Sequence, residues 1–411
     1  MSAPQIITLG CRLNTFESEV MRQGAAQAGL EDAVIINTCA VTAEAERQAR
    51  QTIRKARRDN PQARIIVTGC AAQLEPDKFS AMAEVDRVVG NLEKLDAATY
   101  ADDAEAVVVS DIMTLQETAG HLIGGLEGRT RAFVQVQQGC DHRCTFCIIP
   151  FARGPNRSVP AGRVVDQVRK LVEGGHVEVV LTGVDISSYG AGDTGLGDLA
   201  QQVLSAVPDL KRLRLSSLDP AAIDDTIFRL LAEEPRFMPH LHLSLQALDD
   251  TVLKRMKRRH SRDDAFDVIR RARQARADVV FGADLIAGFP TETGEMFENT
   301  LSAVGELDLT HLHVFPYSAR NGTPAARMPQ DNAPARKERA ARLRDAGEAG
   351  LQRHLKAQVG GLAQVLIERD RRGLTEHYAP VELAAESQPG HIVTARIESV
   401  SEGKLLGKLA A

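Results

Sequence analysis

Three cysteines fall within eight residues of this chain, in Cys140-Asp141-His142-Arg143-Cys144-Thr145-Phe146-Cys147. A thiolate is a soft ligand. Three on one loop, spaced C-x-x-x-C-x-x-C, grip three irons of a cubane iron–sulfur cluster. The fourth iron then lacks a protein ligand, and an open coordination position is where a metal site binds and activates something. Zinc sites usually come as two Cys/His pairs, whereas His142 is the only nearby fourth ligand here. Six cysteines in 411 residues do not suit a disulfide framework.

The elements around this loop read as alternating strand and helix. Phe133-Val134-Gln135-Val136-Gln137 leads directly into it. Further strands are expected at 177–181, 212–215, 241–245, 279–286 and 312–315, with helices at 162–173, 196–206, 221–233, 249–258, 263–276 and 292–306. Six β/α units fit a partial (β/α)6 barrel, whose active residues lie at the C-terminal ends of its strands. Along 240–246, His240, His242, Ser244 and Gln246 share one face and the leucines the other. A polar lumen face is costly unless it holds a polar ligand. His240/His242 and His311/His313 are candidate metal ligands. No carboxylate or thiol spacing completes a site, so hydrogen-bonded lumen residues are the preferred reading. Gly282-Ala283-Asp284-Leu285-Ile286-Ala287-Gly288-Phe289-Pro290 ends a strand with glycines, which let backbone approach a flat ligand.

The other three cysteines each close an apolar run: Leu9-Gly10-Cys11, Asn37-Thr38-Cys39 and Thr68-Gly69-Cys70. With helices at 15–28 and 44–58 and a fourth run at 85–89, these runs predict a parallel α/β sheet. Its strands share a C-terminal edge where ligands bind. One such cysteine is an ordinary small hydrophobe. Three at the same relative position point to a second metal cluster. Residues 103–128 read as a connector. Beyond the barrel, a Pro-rich stretch leads to a helix at 335–357. Short β-like runs at 362–368, 390–398 and 404–409 then suggest a small β-barrel.

Hydrophobic residues make up 43% and charged residues 26%, which fits globular domains with real cores. Aromatics are 4% and Trp is absent, so stacking platforms for single-stranded RNA are sparse. The net charge of −5 argues against a wholesale polyanion binder but not against local basic patches. Two such patches stand out, 254–262 and the arginines of 47–58, as sites for phosphate contacts. Without a basic, apolar leader or a membrane-length apolar run, the expected compartment is the reducing cytoplasm, with no membrane partner.

The cysteine loop, with Phe146 ahead of its last cysteine, resembles the cluster loop of radical S-adenosylmethionine (radical SAM) enzymes. The resemblance implies that the amino and carboxylate groups of S-adenosylmethionine (SAM) chelate the open iron, and that reductive cleavage gives a 5′-deoxyadenosyl radical. Leu181-Thr182-Gly183-Val184-Asp185 is similar to the segment that meets the SAM amino group, and 282–290 to the segment flanking its adenine. On this likeness the expected SAM contacts are Phe146, Thr182, Gly183, Ser217, Gln246, Ile286 and Gly288.

Almost the whole chain resembles the methylthiotransferases. The implied layout is an N-terminal α/β domain at 1–128 with Cys11, Cys39 and Cys70 as auxiliary cluster ligands. A radical SAM barrel at 129–330 carries Cys140, Cys144 and Cys147. A helical linker at 331–358 and a TRAM-like β domain at 359–411 follow. The runs at 147–154, Arg157-Ser158, 239–246 and 313–318 are similar to the branch acting on N6-threonylcarbamoyladenosine at position 37 of tRNA. That branch implies methylthiolation at adenine C2, two 4Fe–4S clusters, a second SAM as methyl donor, a reducing electron donor and a sulfur source. The auxiliary cluster would carry or donate the sulfur. Arg153 and Arg157 are then expected at the threonylcarbamoyl carboxylate, because arginine forks onto carboxylates. The plain alternative is a loop salt bridge. Two departures stand out: Ala247-Leu248 where the family has Ser/Ala-Gly, and Thr291 in Gly288-Phe289-Pro290-Thr291-Glu292-Thr293 where it has Gly. Sister branches modify isopentenyladenosine in tRNA or an aspartate of a ribosomal protein. A non-enzymatic iron–sulfur RNA-binding protein would keep the clusters without cleaving SAM.

Overall fold

The apolar runs of the first hundred residues form a five-stranded parallel sheet in the computed structural model, which describes residues 3–101, 104–115, 123–126 and 128–410. The strands lie in sequence order: β1 (Gln5–Thr8), β2 (Ala33–Thr38), β3 (Arg64–Gly69), β4 (Arg87–Val89) and β5 (Val107–Val108). Between them run α1 (Arg12–Gln27), α2 (Ala43–Asp59), α3 (Cys70–Leu74) and α4 (Pro76–Ser80). Helix α1 turns Leu13, Phe16, Val20 and Met21 inward, the stripe of an amphipathic helix. Helix α2 starts at a Thr42 cap, whose hydroxyl accepts from the Ala45 amide at 3.1 Å, with Glu44 and Glu46 in its first turn. Strand β5 lies inside the stretch read as connector. It is two residues long, too short for periodicity, and is recruited by pairing with β4. The remainder of that stretch falls partly outside the described residues.

The second unit begins with β6 (Arg131–Gln135) and β7 (Gln137–Gln138), followed by the cysteine loop, α5 (Ile149–Arg153) and β8 (Arg157–Ser158). Strands β7 and β8 pair antiparallel and so pin the base of the loop. Next come α6 (Ala161–Glu173), β9 (Glu178–Thr182), α7 (Leu196–Ala206), β10 (Arg212–Leu215) and α8 (Asp225–Glu233). The rest is β11 (His240–Gln246), α9 (Asp250–Met256), α10 (Arg262–Ala275), β12 (Val280–Ala287), α11 (Gly294–Glu306) and β13 (His311–Pro316). The six main strands run parallel as β6-β9-β10 and β11-β12-β13, and bridges at Leu213–Phe237 and Leu218–Leu243 join the two halves. This is the partial (β/α)6 barrel. Its helix-facing side is one apolar cluster that includes Leu241, Leu243 and Leu245. Leu248 joins that cluster, fully buried, so it fills the wall rather than the lumen.

Helix α12 (Ala333–Ala357) packs on β13 and α11. The chain ends in a closed five-stranded barrel of β14 (Leu362–Arg369), β15 (Arg372–Thr375), β16 (Pro380–Leu383), β17 (Ile392–Ser401) and β18 (Lys404–Leu409). It docks where the large barrel's strands begin. Arg212 and Arg214, held by the buried Glu178, donate to the carbonyls of Gln364 and Thr375. Tyr378 stacks on His240 with ring centroids 4.9 Å apart, and Arg12 and Arg131 donate to its hydroxyl. No described helix is long and apolar enough to cross a membrane.

Candidate active site

Cys140, Cys144 and Cys147 follow β7 at the C-terminal end of the barrel, all partly exposed and free of disulfides. Burial pushes the Cys140 and Cys147 thiols up to about 12; the Asp185 carboxylate adds to the first, and the neighbouring Cys144 adds to both. A metal that displaces those protons binds a ligand set the bare protein disfavours as thiolates. Arg258 donates to Cys144 Sγ at 3.6 Å, a cation placed beside the sulfur ligands. The His142 Nε2 is engaged by Asp185 at 3.1 Å and lies 3.4 Å from Ser188 Oγ, and Cys140 Sγ stands 3.8 Å from the same Asp185 oxygen. The donor set is therefore three sulfurs without a fourth, which fits a cubane with one open iron better than zinc.

Cys11, Cys39 and Cys70 also converge. Each follows a strand of the N-terminal sheet, and parallel register places Thr38 opposite Gly69. Burial, the largest cause, raises the Cys11 and Cys39 thiols, Cys39 to about 12, and both also feel the charge of Cys70. Gly69 has φ 96°, and a Cβ there would stand 2.4 Å from the backbone of Thr38. Gly10 repeats this conformation ahead of Cys11 at φ 95°. The same left-handed turn thus delivers two of the cysteines to helix starts, where the helix dipole favours thiolates. Cys70 lies close enough to Cys147 for its charge to act on that thiol. The two cysteine sets are neighbours across the domain junction.

A buried charge cluster underlies the N-terminal set. Glu17 is fully buried and paired with both Lys94, at 2.8 Å, and Arg153. Burial alone would raise the Glu17 carboxyl. The two cations outweigh it and leave the pKa at about 2. Arg153 Nε donates to Cys70 Sγ at 3.1 Å and its Nη2 to Asn14 at 2.5 Å. Lys94 donates to Asn91 and Asn37, and Asn91 in turn donates to Ala152 O and Cys70 Sγ.

This arrangement includes both arginines expected at a substrate carboxylate. Arg153 is 3% exposed, with all its donors engaged by Cys70, Glu17, Gln138 and Asn14. Arg157 is also buried and donates to Pro155 O and Arg153 O. Internal acceptors thus engage every donor of Arg153, whereas the buried Arg157 Nε has no hydrogen-bond partner among the described residues. The arginines of the 254–262 run are engaged within the protein, while Lys254 and Lys257 are exposed and make no ion pair among the described residues. Arg258 and Arg259 pair with Asp219, Arg255 donates to Thr291 O, and Arg262 pairs with Glu306. On α2, Arg47, Arg54, Lys55 and Arg57 pair with acids, and Arg50 and Arg58 make no ion pair among the described residues.

The residues expected at SAM gather on the rim that carries the barrel cysteines. Thr182, Gln246 and Ile286 stand at or near the ends of β9, β11 and β12, with Gly183, Ser217 and Gly288 just beyond strand ends. Phe146 meets Phe289 edge-on, ring centroids 6.5 Å apart. Gln246 adopts φ 66°, at a register shift that ends the pairing of β11 with β12. Deeper in the lumen a carboxylate does complete a histidine cluster, contrary to the expectation from spacing. Asp284 Oδ1 lies 3.1 Å from both His242 Nε2 and His313 Nδ1. Strand alternation in 282–286, which puts Asp284 on the lumen face with Ile286, was the signal for it. Glu17, Lys94 and Asn91 carried no such signal, because their partners are remote in sequence.

The fold and the three-sulfur loop define a radical SAM protein, a class that binds one 4Fe–4S cluster and SAM. Residues 134–304 match the Radical SAM superfamily, and residues 4–90 match Uncharacterized protein family UPF0004. Among solved structures the fold is similar to the radical S-adenosylmethionine methyltransferase TsrM from Kitasatospora setae. The TM-score is 0.57 at 17% identity, covering 79% of this chain and 77% of that one. The chain is 50% identical to threonylcarbamoyladenosine tRNA methylthiotransferase MtaB of Rickettsia prowazekii, over 97% of this chain and 96% of the relative. It is 33% identical to tRNA-2-methylthio-N(6)-dimethylallyladenosine synthase of Novosphingobium aromaticivorans, over 99% and 97%. The chain belongs to the radical SAM tRNA methylthiotransferase family, in the branch typified by MtaB.

Proposed function

We propose that this enzyme replaces the C2 hydrogen of N6-threonylcarbamoyladenosine 37 in tRNA with a methylthio group, using two 4Fe–4S clusters and two molecules of SAM. The observation that carries this reading is the adjacency of two three-cysteine sets: Ile148, next to Cys147, packs in one core cluster with Cys70, and Arg153 donates to the Cys70 sulfur. When bound, the barrel cluster supplies the electron that cleaves SAM to a 5′-deoxyadenosyl radical, and the auxiliary cluster supplies the sulfur that a second SAM methylates.

The protein's own part is placement. Cys140, Cys144 and Cys147 would hold the first cluster on a loop pinned beside the strand-end rim. Thr182, Gly183, Ser217, Gln246, Ile286 and Gly288 receive SAM on that rim, and Phe146 with Phe289 walls it off from water. Cys11, Cys39 and Cys70 hold the second cluster, and Arg153 offsets the charge of its thiolates from the buried side. The unit needs a reducing electron donor and a sulfur source as partners. The likeness to MtaB supports the threonylcarbamoyl substrate, and so does the polar lumen of His242, Asp284 and His313.

Mass spectrometry of tRNA nucleosides from a strain lacking the gene tests the reading. Loss of the 2-methylthio-N6-threonylcarbamoyl nucleoside, with its unthiolated precursor accumulating, is the expected result. Loss of the isopentenyl counterpart instead would move the enzyme to the sister branch.

A further inference from the structure

The barrel's four strand histidines split into two pairs. His240 and His311 lie where their strands begin, against Tyr378. Burial lowers both pKa values, that of His311 to about 4, so this pair is neutral packing at the docked C-terminal domain. Two residues further along, His242 and His313 share Asp284, whose other oxygen accepts from Ser217 at 3.3 Å. The two imidazoles keep that carboxylate ionised despite its burial. Gly282 leaves the space: a Cβ there would stand 2.3 Å from His242 Nδ1.

The pair is asymmetric. The His242 side chain is 7% exposed and that of His313 is 58% exposed. With Nδ1 tied to Asp284, His313 presents Nε2 to the opening, and that atom has no hydrogen-bond partner among the described residues. A carboxylate-anchored imidazole with its second nitrogen free is set up to hold a polar group. Phe315, on the same face of β13 and 38% exposed, sets a flat apolar ring beside it, suited to a splayed base.

We propose that His313, oriented by Asp284, recognises the hydrogen-bonding N6 substituent of the target adenosine. The inference rests on the threonylcarbamoyl reading above. That substituent offers a carboxylate, a hydroxyl and carbonyl oxygens. Bonded through Nδ1–H to Asp284, the imidazole offers Nε2 as an acceptor to the hydroxyl when neutral, or as a charged donor to the oxygens when protonated. Asp284 is a positioning residue in this scheme and His313 the specificity determinant.

The test measures binding of two anticodon stem-loop RNAs, with adenosine or N6-threonylcarbamoyladenosine at position 37, to the cluster-loaded protein with SAM. Fluorescence anisotropy gives the affinity ratio. One buried hydrogen bond to the substituent, worth about 1–1.5 kcal/mol, sets the wild-type preference at about tenfold. His313→Ala should bring the ratio close to one. His313→Gln, whose amide reaches the Nε2 position, should keep part of it, and Asp284→Asn should lower it. Iron content of each variant reports cluster loading, and the Gln variant carries the test if the Ala variant loads poorly. A wild-type ratio in His313→Ala, with the methylthio product still made, overturns this inference and leaves the proposed function standing. Absence of any preference in the wild type, with unchanged tRNA in the deletion strain, overturns both. A stoichiometric divalent cation beyond cluster iron, lost in Asp284→Asn, would assign the triad to a metal and overturn it as well.

Discussion

The two cysteine sets of this enzyme are assembled by opposite strategies. Cys140, Cys144 and Cys147 sit on one loop, and the β7–β8 pair at its base is enough to hold them together. Cys11, Cys39 and Cys70 come from three strand ends and meet only because the sheet is parallel and in register. The second set also stands on buried charge, with Glu17 between Arg153 and Lys94, while the first leans on the partly exposed Asp185 and Arg258. A local site needs a loop; a dispersed one needs a whole sheet and an internal charge balance. The two are not independent, however. Arg153 ends α5, a few residues beyond Cys147 in the barrel unit, yet its guanidinium lies under Cys70. Ile148 and Ala152 pack in the N-terminal core for the same reason.

Removing each set separates the roles, with the largest effects expected in this molecule. Cys140/Cys144/Cys147→Ala should abolish both 5′-deoxyadenosine formation and the methylthio product. Cys11/Cys39/Cys70→Ala should halve iron and sulfide, abolish the product, and leave SAM cleavage measurable under anaerobic assay. Equal iron content in the second variant and the wild type would remove the second cluster from the scheme.

Disturbing the charge beneath the dispersed set comes next. Glu17→Ala strands two buried cations, a loss of about 3–5 kcal/mol, read as a fall in the chemical-denaturation midpoint. The same residue shapes the acid limb. Its folded pKa of about 2 lies below the unfolded carboxylate value of about 4.3, so its contribution is complete above pH ~4.3 and is lost as pH falls toward 2. Glu17→Gln should therefore show a shallower loss of stability than wild type across that window. An equal slope would mean that the carboxylate is not held between its two cations.

That difference in construction decides what the sequence disclosed. The barrel loop was legible from spacing, and the N-terminal set from three cysteines at equivalent strand ends, because both follow from local pattern plus one topological rule. The charge network was not: Glu17 reads as one acid on an amphipathic helix, Lys94 as a loop lysine, and Arg153 as a candidate for substrate. Only the packed sheet brings them together. The basic run at 254–262 hides its arginine clamps for a related reason. Its acceptors, Asp219, Thr291 O and Glu306, lie elsewhere on the barrel, so nothing local distinguishes a clamp from a phosphate patch. Asp284 was hidden differently, since the glycines of its strand drew the reading toward backbone approach and away from its lumen-facing side chain.

Two left-handed residues allow a finer comparison between the sites. Gly69, ahead of Cys70, has no room for a Cβ: both the N and O of Thr38 would lie 2.4 Å away. Gly69→Ala should cost about 2 kcal/mol or more, combining the positive φ with displacement of β2, and should lower auxiliary iron ahead of barrel iron. Equal loss from both clusters would argue that the sheet edge and the loop fail as one unit.

Thr291 is the converse case. It sits on the barrel rim between Gly288 and the buried Glu292, at φ 69°, and it is β-branched. A side chain of that kind in the left-handed region is strained by about 1–2 kcal/mol, and the related methylthiotransferase pattern has glycine at this position. The strain is held in place because Arg255 donates to Thr291 O and Glu292 accepts from the Gly288 amide and pairs with Arg339. Those bonds use backbone or neighbouring groups, so they survive loss of the Thr291 side chain. Thr291→Gly should then raise stability by about 1 kcal/mol, the relief of strain exceeding the entropy that glycine adds to the unfolded chain. Thermal unfolding of the anaerobic protein measures it. A fall in midpoint would show that the rigidity of threonine at this turn outweighs its strain, and would make the rim beside Gly288 a place where stiffness is retained against the local conformational preference.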